Sequence, residues 1–501
     1  MASEEILDYA IVGAGISGIG SACHLVMDAP DASYAILERR KRVGGTWDLF
    51  RYPGIRSDSD MYTLGYDFKP WMKHQTLADG PSIQDYLHET AEEYGVFDKI
   101  RFGLKITSVN FDSATALWTV HTLNEDTGET GEIKARFVLM CTGYYKYDQG
   151  YTPDFEGLSE FGGTIVHPQH WPENLDYTGK KVVVIGSGAT AATLVPAMAD
   201  KTEHITMLQR SPTFFSPVNS TDRMSKFLSA ILPKKLAFKL TRLHHIWFQR
   251  LVYQRSMKQP LKMRKLLLDK ARKALGDDVD FKHFEPRYNP WEQRLCAIPD
   301  EDLFKVVREG DASVVTDHIA RFDRTGIQLQ SGQHLDADII ITATGLNMEL
   351  FSGTDIVVDG ETKHPGDLLT YKSLMLQDVP NLAFIMGYVN ASWTLKVDIA
   401  LSYLIRLRQT MKQKGADIAV AHADASVEID QGNVFGYLTS GYVARAQGKM
   451  PKQGMQLPWR VLHDYKRDKV MLTEEPVDDG VISLERSRSN VIDMPAQVAA
   501  E

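Results

Sequence analysis

The sequence predicts an α/β protein built from two Rossmann-like dinucleotide-binding domains with a helical insert. Three observations carry this. A short apolar run passes through a glycine-rich turn into a helical pattern near the start of the chain, and the same pattern recurs from Lys181. Residues 223–273 then break the composition of the rest, with fifteen Lys and Arg against Asp269 alone, interleaved with large apolar side chains.

The first pattern is Asp8-Tyr9-Ala10-Ile11-Val12 followed by Gly13-Ala14-Gly15-Ile16-Ser17-Gly18 and helical spacing through Leu25. Gly13 permits the sharp turn, Gly15 lets the backbone approach a pyrophosphate, and Gly18 packs helix against strand, while the helix start offers unpaired N–H donors to phosphates. The next apolar run, Tyr34-Ala35-Ile36-Leu37, ends in Glu38, about 20 residues past the last glycine, where a carboxylate binds ribose hydroxyls.

The second pattern runs from Lys181 through Ile185 into Gly186-Ser187-Gly188-Ala189-Thr190-Ala191, with Ala191 in the packing position of the third glycine. Its following strand, Ile205-Thr206-Met207-Leu208, ends in Gln209-Arg210-Ser211 and not in an acid. An arginine there attracts a 2′-phosphate and the missing acid removes a repulsion, so NADPH is favoured over NADH; the competing reading makes Arg210 a solvated strand-end charge. Order, and the Gly44-Gly45-Thr46-Trp47 segment after Glu38, place FAD first and NADPH second. Phe137 to Gly143 and Asp338 to Thr344-Gly345 read as strands ending in small turns, where the chain crosses between nucleotide domains or simply turns.

The expected boundaries are 1–148 for the first part of the FAD domain, 149–212 and 291–344 for the two parts of the NADPH domain, and 213–290 for the helical insert. Residues 345–474 return to the FAD domain and the substrate pocket, and 475–501, rich in acids and serine, read as a loosely ordered tail.

Composition limits the function. A chain of 501 residues, 43% hydrophobic, can bury two or three cores. With 65 acidic against 56 basic side chains, no nucleic-acid partner is expected. Cys23, Cys141 and Cys296 are too few and too scattered for a disulfide framework, a zinc site or a redox pair, so no metal is expected and the thiols read as reduced. The acidic start and the lack of an apolar run approaching about 18 residues point to a cytoplasmic protein. The basic insert either packs on the nucleotide domains with a solvated face or lies on the inner face of a membrane.

Two stretches carry a resemblance. Gly44-Gly45-Thr46-Trp47 through Tyr52-Pro53-Gly54 to Asp58, and Phe161-Gly162-Gly163 through His167 to Trp171-Pro172, resemble position for position the two signatures of type I Baeyer-Villiger monooxygenases, within the flavin-containing monooxygenase superfamily. Residues 288–296 and Asn390-Ala391-Ser392-Trp393-Thr394 look most like the ethionamide-activating branch, and Trp171 sides with the Baeyer-Villiger group. The resemblance implies conversion of ketones to esters with FAD, NADPH and O2 through a C4a-peroxyflavin, with S-oxidation of sulfides or thioamides as a side activity. It also implies that Arg294 holds developing negative charge and that Asp58 orients it, where residue chemistry alone reads a surface cation and a turn-forming aspartate. Phe161, Gly163, His167 and Trp171 become linker residues that couple cofactor binding to domain position.

Two departures from the family pattern matter. Gln293 stands where many members carry a lysine, which leaves NADPH preference to Arg210, and Ser440-Gly441-Tyr442 replaces a Ser-Trp pair, which favours linear aliphatic ketones or sulfides over cyclic ketones. The competing function is a non-oxygenating, NADPH-oxidising flavoprotein or a membrane-associated flavin-binding protein.

Overall fold

Two sheets carry the architecture. The computed structural model describes residues 5–488 except 294, 433, 437 and 439. Ile6–Val12, buried along most of its length, lies parallel between Tyr34–Glu38 and Thr130–Met140, with Tyr9 level with Tyr34 on one side and Phe137 on the other. Such continuous apolar runs belong in a sheet covered on both faces. Ile100–Phe102 extends the sheet at one edge. Leu117–Leu123, Lys105–Asp112, Asp355–Val358 and Glu361–Lys363 extend it at the other, and Leu382–Phe384 also pairs with Thr130–Met140. Helices Ile16–Asp28 and Thr394–Lys414 cover one face and share a core that includes Ile19, Leu25, Val397 and Leu401.

The second sheet is wholly parallel, in the order Ala312–Thr316, His204–Gln209, Lys181–Ile185, Ile339–Thr342 and Thr164–Val166. Helix Ala189–Met198 follows its glycine turn. The chain thus leaves the first sheet at Met140, builds the second, and returns at Asp355.

The insert expected at 213–290 holds three α-helices, Arg223–Ile231, Lys234–Lys258 and Pro260–Leu275. Sequence adjacency ties them to the second domain, yet the middle helix docks on the first. Phe238 joins the first core, and Arg242, 4% exposed, donates to the carbonyls of Tyr62 (2.8 Å) and Gly65 (2.7 Å) and pairs with Asp398 (3.2 Å). A buried guanidinium is tolerated here because its donors are matched by acceptors.

The same helix is held by His245, whose ring nitrogens lie 3.1 Å from Asp60 and 2.8 Å from Asp222. Burial opposes charge on His245, but the bonds to Asp222 and Asp60 outweigh it and bring its pKa up to about 9. The unfolded imidazole titrates near 6.5, so this stabilisation is fully present below about pH 6.5 and is lost as pH rises through about 9. The parent should exceed His245→Gln in stability by at most about 3 kcal/mol at pH 6, a ceiling for the three-residue cluster as a whole, with the lead shrinking by pH 10. Thermal unfolding at pH 6, 8 and 10 measures it, and a lead that does not change with pH would contradict a charged imidazole.

The tail expectation needs correction. Ile482–Glu485 forms a strand antiparallel to Ile418–Ala421, and the Ser487 N–H and hydroxyl donate to Asp417 at 2.6 and 2.7 Å. A short apolar run, with Ile482 buried, hides inside the acidic composition, and Asp479 is held by Tyr371 and Lys372. Residues 489–501 of that expected tail lie outside the described residues.

Candidate functional site

Backbone contact explains the first glycine turn. Gly13 has φ +103°, and a Cβ on it would stand 2.9 Å from the Cys141 carbonyl oxygen; a Cβ on Gly18 would stand 1.8 Å from that of Gly13. Gly15 caps helix Ile16–Asp28 without any side-chain hydrogen bond to the helix start. Glu38 is buried beside this turn, its carboxylate accepting from the Ala14 N–H at 2.6 Å and the Arg40 N–H at 2.7 Å. Burial pushes its carboxyl up, against the pull of those two N–H groups. Glu38 therefore braces the turn as well as facing the space beyond it.

That space is a cavity of about 320 Å³ whose walls include Gly13, Gly15, Glu38, Gly45, Thr46, Trp47 and Asp58. Gly45, at φ +56°, caps the helical turn Thr46–Leu49 and approaches Gly15 so closely that a Cβ on it would lie 3.0 Å from the Gly15 Cα. Thr46 Oγ1 is 3.4 Å from the Tyr147 hydroxyl. Asp48 anchors the segment, 2% exposed between Arg40, Arg42 and Arg51 at 2.7, 3.0 and 2.8 Å. The structure adds Trp393 to the cavity wall, its indole N–H donating to Ser17 Oγ at 2.6 Å and its ring 5.4 Å from Tyr144. The sequence quotes Trp393 only within a family motif; no local signal reveals that it reaches the first glycine turn.

At the second turn Gly186 has φ +136°, and a Cβ there would meet the Ala343 carbonyl oxygen at 2.3 Å. Gly188 caps helix Ala189–Met198, again without a side-chain bond, and a Cβ on it would meet nothing within 4 Å. Ala191 is fully buried in that helix, next to Thr190. Ser187 ties the turn to the loop beyond the next strand, bonding Thr213 Oγ1 at 2.8 Å and the Ser211 carbonyl at 3.3 Å. Arg210 and Ser211 are exposed at that strand end and do not line the first cavity.

The Phe161 to Trp171 stretch joins the two crossings. His167 Nε2 donates to the Gly345 carbonyl at 3.2 Å while Nδ1 accepts from the Gln169 N–H at 3.2 Å, and its ring rests on Gly150, where a Cβ would clash at 2.0 Å. Burial pulls the His167 pKa down, and both ring nitrogens are committed to backbone. Thr344 Oγ1 donates to the Tyr151 carbonyl at 2.5 Å, and Gly345 accepts from the Tyr151 N–H at 3.0 Å. Gly163 fits against the Asp338 carbonyl, where a Cβ would fall 2.3 Å away, Phe161 is buried in one hydrophobic cluster of the second domain, and Trp171 packs half-buried against another, which includes Val182, Val184 and Tyr52. These contacts give His167 a fastening role and leave it no free nitrogen for proton transfer. Arg294 lies outside the described residues, and Asp58 is exposed on the cavity wall.

A family model described as flavin-binding monooxygenase-like matches residues 8–351. The chain is 51% identical over 479 residues to MymA of Mycobacterium tuberculosis, covering 95% of this chain and 97% of that protein. It is 47% identical over 477 residues to the FAD-containing monooxygenase EthA of the same organism, covering 95% and 97%. Among solved structures, an oxidized steroid monooxygenase bound to NADP superposes with a TM-score of 0.78 at 23% identity, covering 96% of this chain and all of that one, a likeness of fold.

Proposed function

Because this chain belongs to the flavin-binding monooxygenase-like family, we propose that it is an FAD-, NADPH- and O2-dependent Baeyer-Villiger monooxygenase that converts linear aliphatic ketones to esters. Sulfides or thioamides are then its side substrates. The observation that carries this reading is the convergence of the first glycine turn, Glu38, the Gly45-Thr46-Trp47 segment and Asp58 on one cavity. The residues fit a dinucleotide: the helix start behind Gly15 has no side-chain cap, and the turn admits no Cβ at Gly13 or Gly18.

In this reading the N–H groups around Gly15 bind the pyrophosphate of FAD, Glu38 binds its ribose hydroxyls, and Thr46 and Trp47 flank it. The helix start at Gly188, with Arg210 and Ser211, binds NADPH, which leaves phosphate selectivity resting on one exposed arginine. When bound, NADPH supplies the hydride and reduced flavin the oxygen-activating chemistry. Arg294 holds the negative charge that develops on oxygen, with Asp58 orienting its guanidinium. His167, with Phe161, Gly163 and Trp171, keeps the two crossings in register, so cofactor binding in one domain is felt in the other.

The test is anaerobic reduction by NADPH followed by oxygen and a long-chain 2-ketone. Ester detected by mass spectrometry is the expected product. Peroxide release without ester, across ketones and sulfides alike, would make the protein a non-oxygenating flavoprotein instead.

A further inference from the structure

We propose that the helical insert is a docking surface for an anionic lipid bilayer. Helix Lys234–Lys258 buries Ala237, Phe238, Thr241 and Arg242 on one side. On the other, Leu240, Leu243 and Trp247 follow one another at spacings of three and four residues, which sets them in a single stripe. Trp247 is 60% exposed, and Phe227 and Ile231 on the preceding helix and Leu261 on the following one are exposed at 60% or more. Large apolar side chains gathered on three consecutive helices are more than the scattered exposure of an ordinary surface.

Charge decides what covers this face. Of the fifteen Lys and Arg between 223 and 273, Arg242, Arg250 and Arg264 are paired with carboxylates. The other twelve are exposed, and among the described residues none of them makes an ion pair. The region is therefore an unneutralised cationic field on a chain whose net charge is −9. A second copy would bring like charge against like charge. A bilayer of anionic lipids offers phosphates to the lysines and an acyl boundary to the apolar stripe. No helix among the described residues is long and apolar enough to cross a membrane, so the contact is with the surface. None of the exposed apolar residues on this face lines the cavity assigned to FAD, so lipid binding and turnover can fail independently.

Flotation of the full-length, FAD-loaded protein with vesicles tests it. Vesicles of mixed phosphatidylglycerol and phosphatidylcholine should carry the protein at low salt, with binding weakened by added salt and absent on phosphatidylcholine alone. The double variant Leu243→Ser/Trp247→Ser should partition at least about tenfold more weakly, the order expected for withdrawing two large side chains from the acyl boundary. Unchanged flavin absorbance and thermal unfolding establish that the variant is folded. Parent protein that stays unbound on anionic vesicles, or a double variant that binds as the parent does, overturns the proposal. So does a parent dimer, seen by sedimentation without lipid, that the double variant dissociates, because that result makes the face a self-association surface.

Discussion

Arg294→Ala is expected to lose ester formation on the order of 10³-fold or more while NADPH still reduces the flavin, since the removed group acts only where negative charge has developed on oxygen. A guanidinium suits that task because it stays protonated at any working pH and presents a planar fork of donors. Hydride transfer precedes the need for it, so reduction should be retained or only slowed. Arg294→Lys separates charge from geometry: it keeps the cation but loses the fork, and should recover part of the activity. Asp58→Asn should fall between, because it removes the carboxylate that orients the guanidinium and leaves the cation present. Anaerobic stopped-flow reduction, ester by mass spectrometry and released peroxide together resolve the two half-reactions. Ester made by Arg294→Ala at the parent rate would end the assignment.

What the sequence could reveal was whatever is written within about twenty residues of chain. The turn from Gly13 to Gly18, its ribose carboxylate Glu38 and the strand ends at Gly143 and Gly345 are constrained by backbone geometry at fixed spacing, so they are legible one residue at a time. Trp393 is not, because its partner Ser17 lies 376 positions away. Arg242 and His245 were submerged in a basic composition that reads as a solvated face, yet both turn inward, Arg242 onto Asp398 and His245 onto Asp60 of the first domain and Asp222 at the start of the insert's own first helix, three separate segments. The strand at Ile482–Glu485 was hidden for the opposite reason: acidic surroundings mask a run whose only clue is Ile482 and its neighbours. In each case the missing information is a pairing between distant segments, which composition and periodicity do not encode.

Gly18→Val should cost the protein its FAD. The Cβ it introduces would lie 1.8 Å from the Gly13 carbonyl oxygen and 3.0 Å from its carbon, both backbone atoms that cannot rotate aside. Relief requires the turn to open, yet the turn is tethered on both sides: Gly13 N–H donates to the Leu37 carbonyl and Cys141 N–H to the Val12 carbonyl, each at 2.8 Å. Overpacking of this kind ordinarily costs 1–3 kcal/mol, and rigid backbone on both sides puts the cost here at about 3 kcal/mol or above. If the strain is relieved by distorting the pyrophosphate cradle, affinity for FAD falls about 100-fold or more. Gly188→Ala is the contrasting case, at φ −77° with nothing within 4 Å of the added carbon. It should leave flavin content and unfolding temperature unchanged and raise the NADPH KM about tenfold, because only an arriving phosphate would meet the new methyl group. Flavin-to-protein ratio after desalting, thermal unfolding and NADPH saturation curves distinguish the two. A Gly18→Val protein with full flavin content and the parent unfolding temperature would show that the turn has slack the contact distances deny.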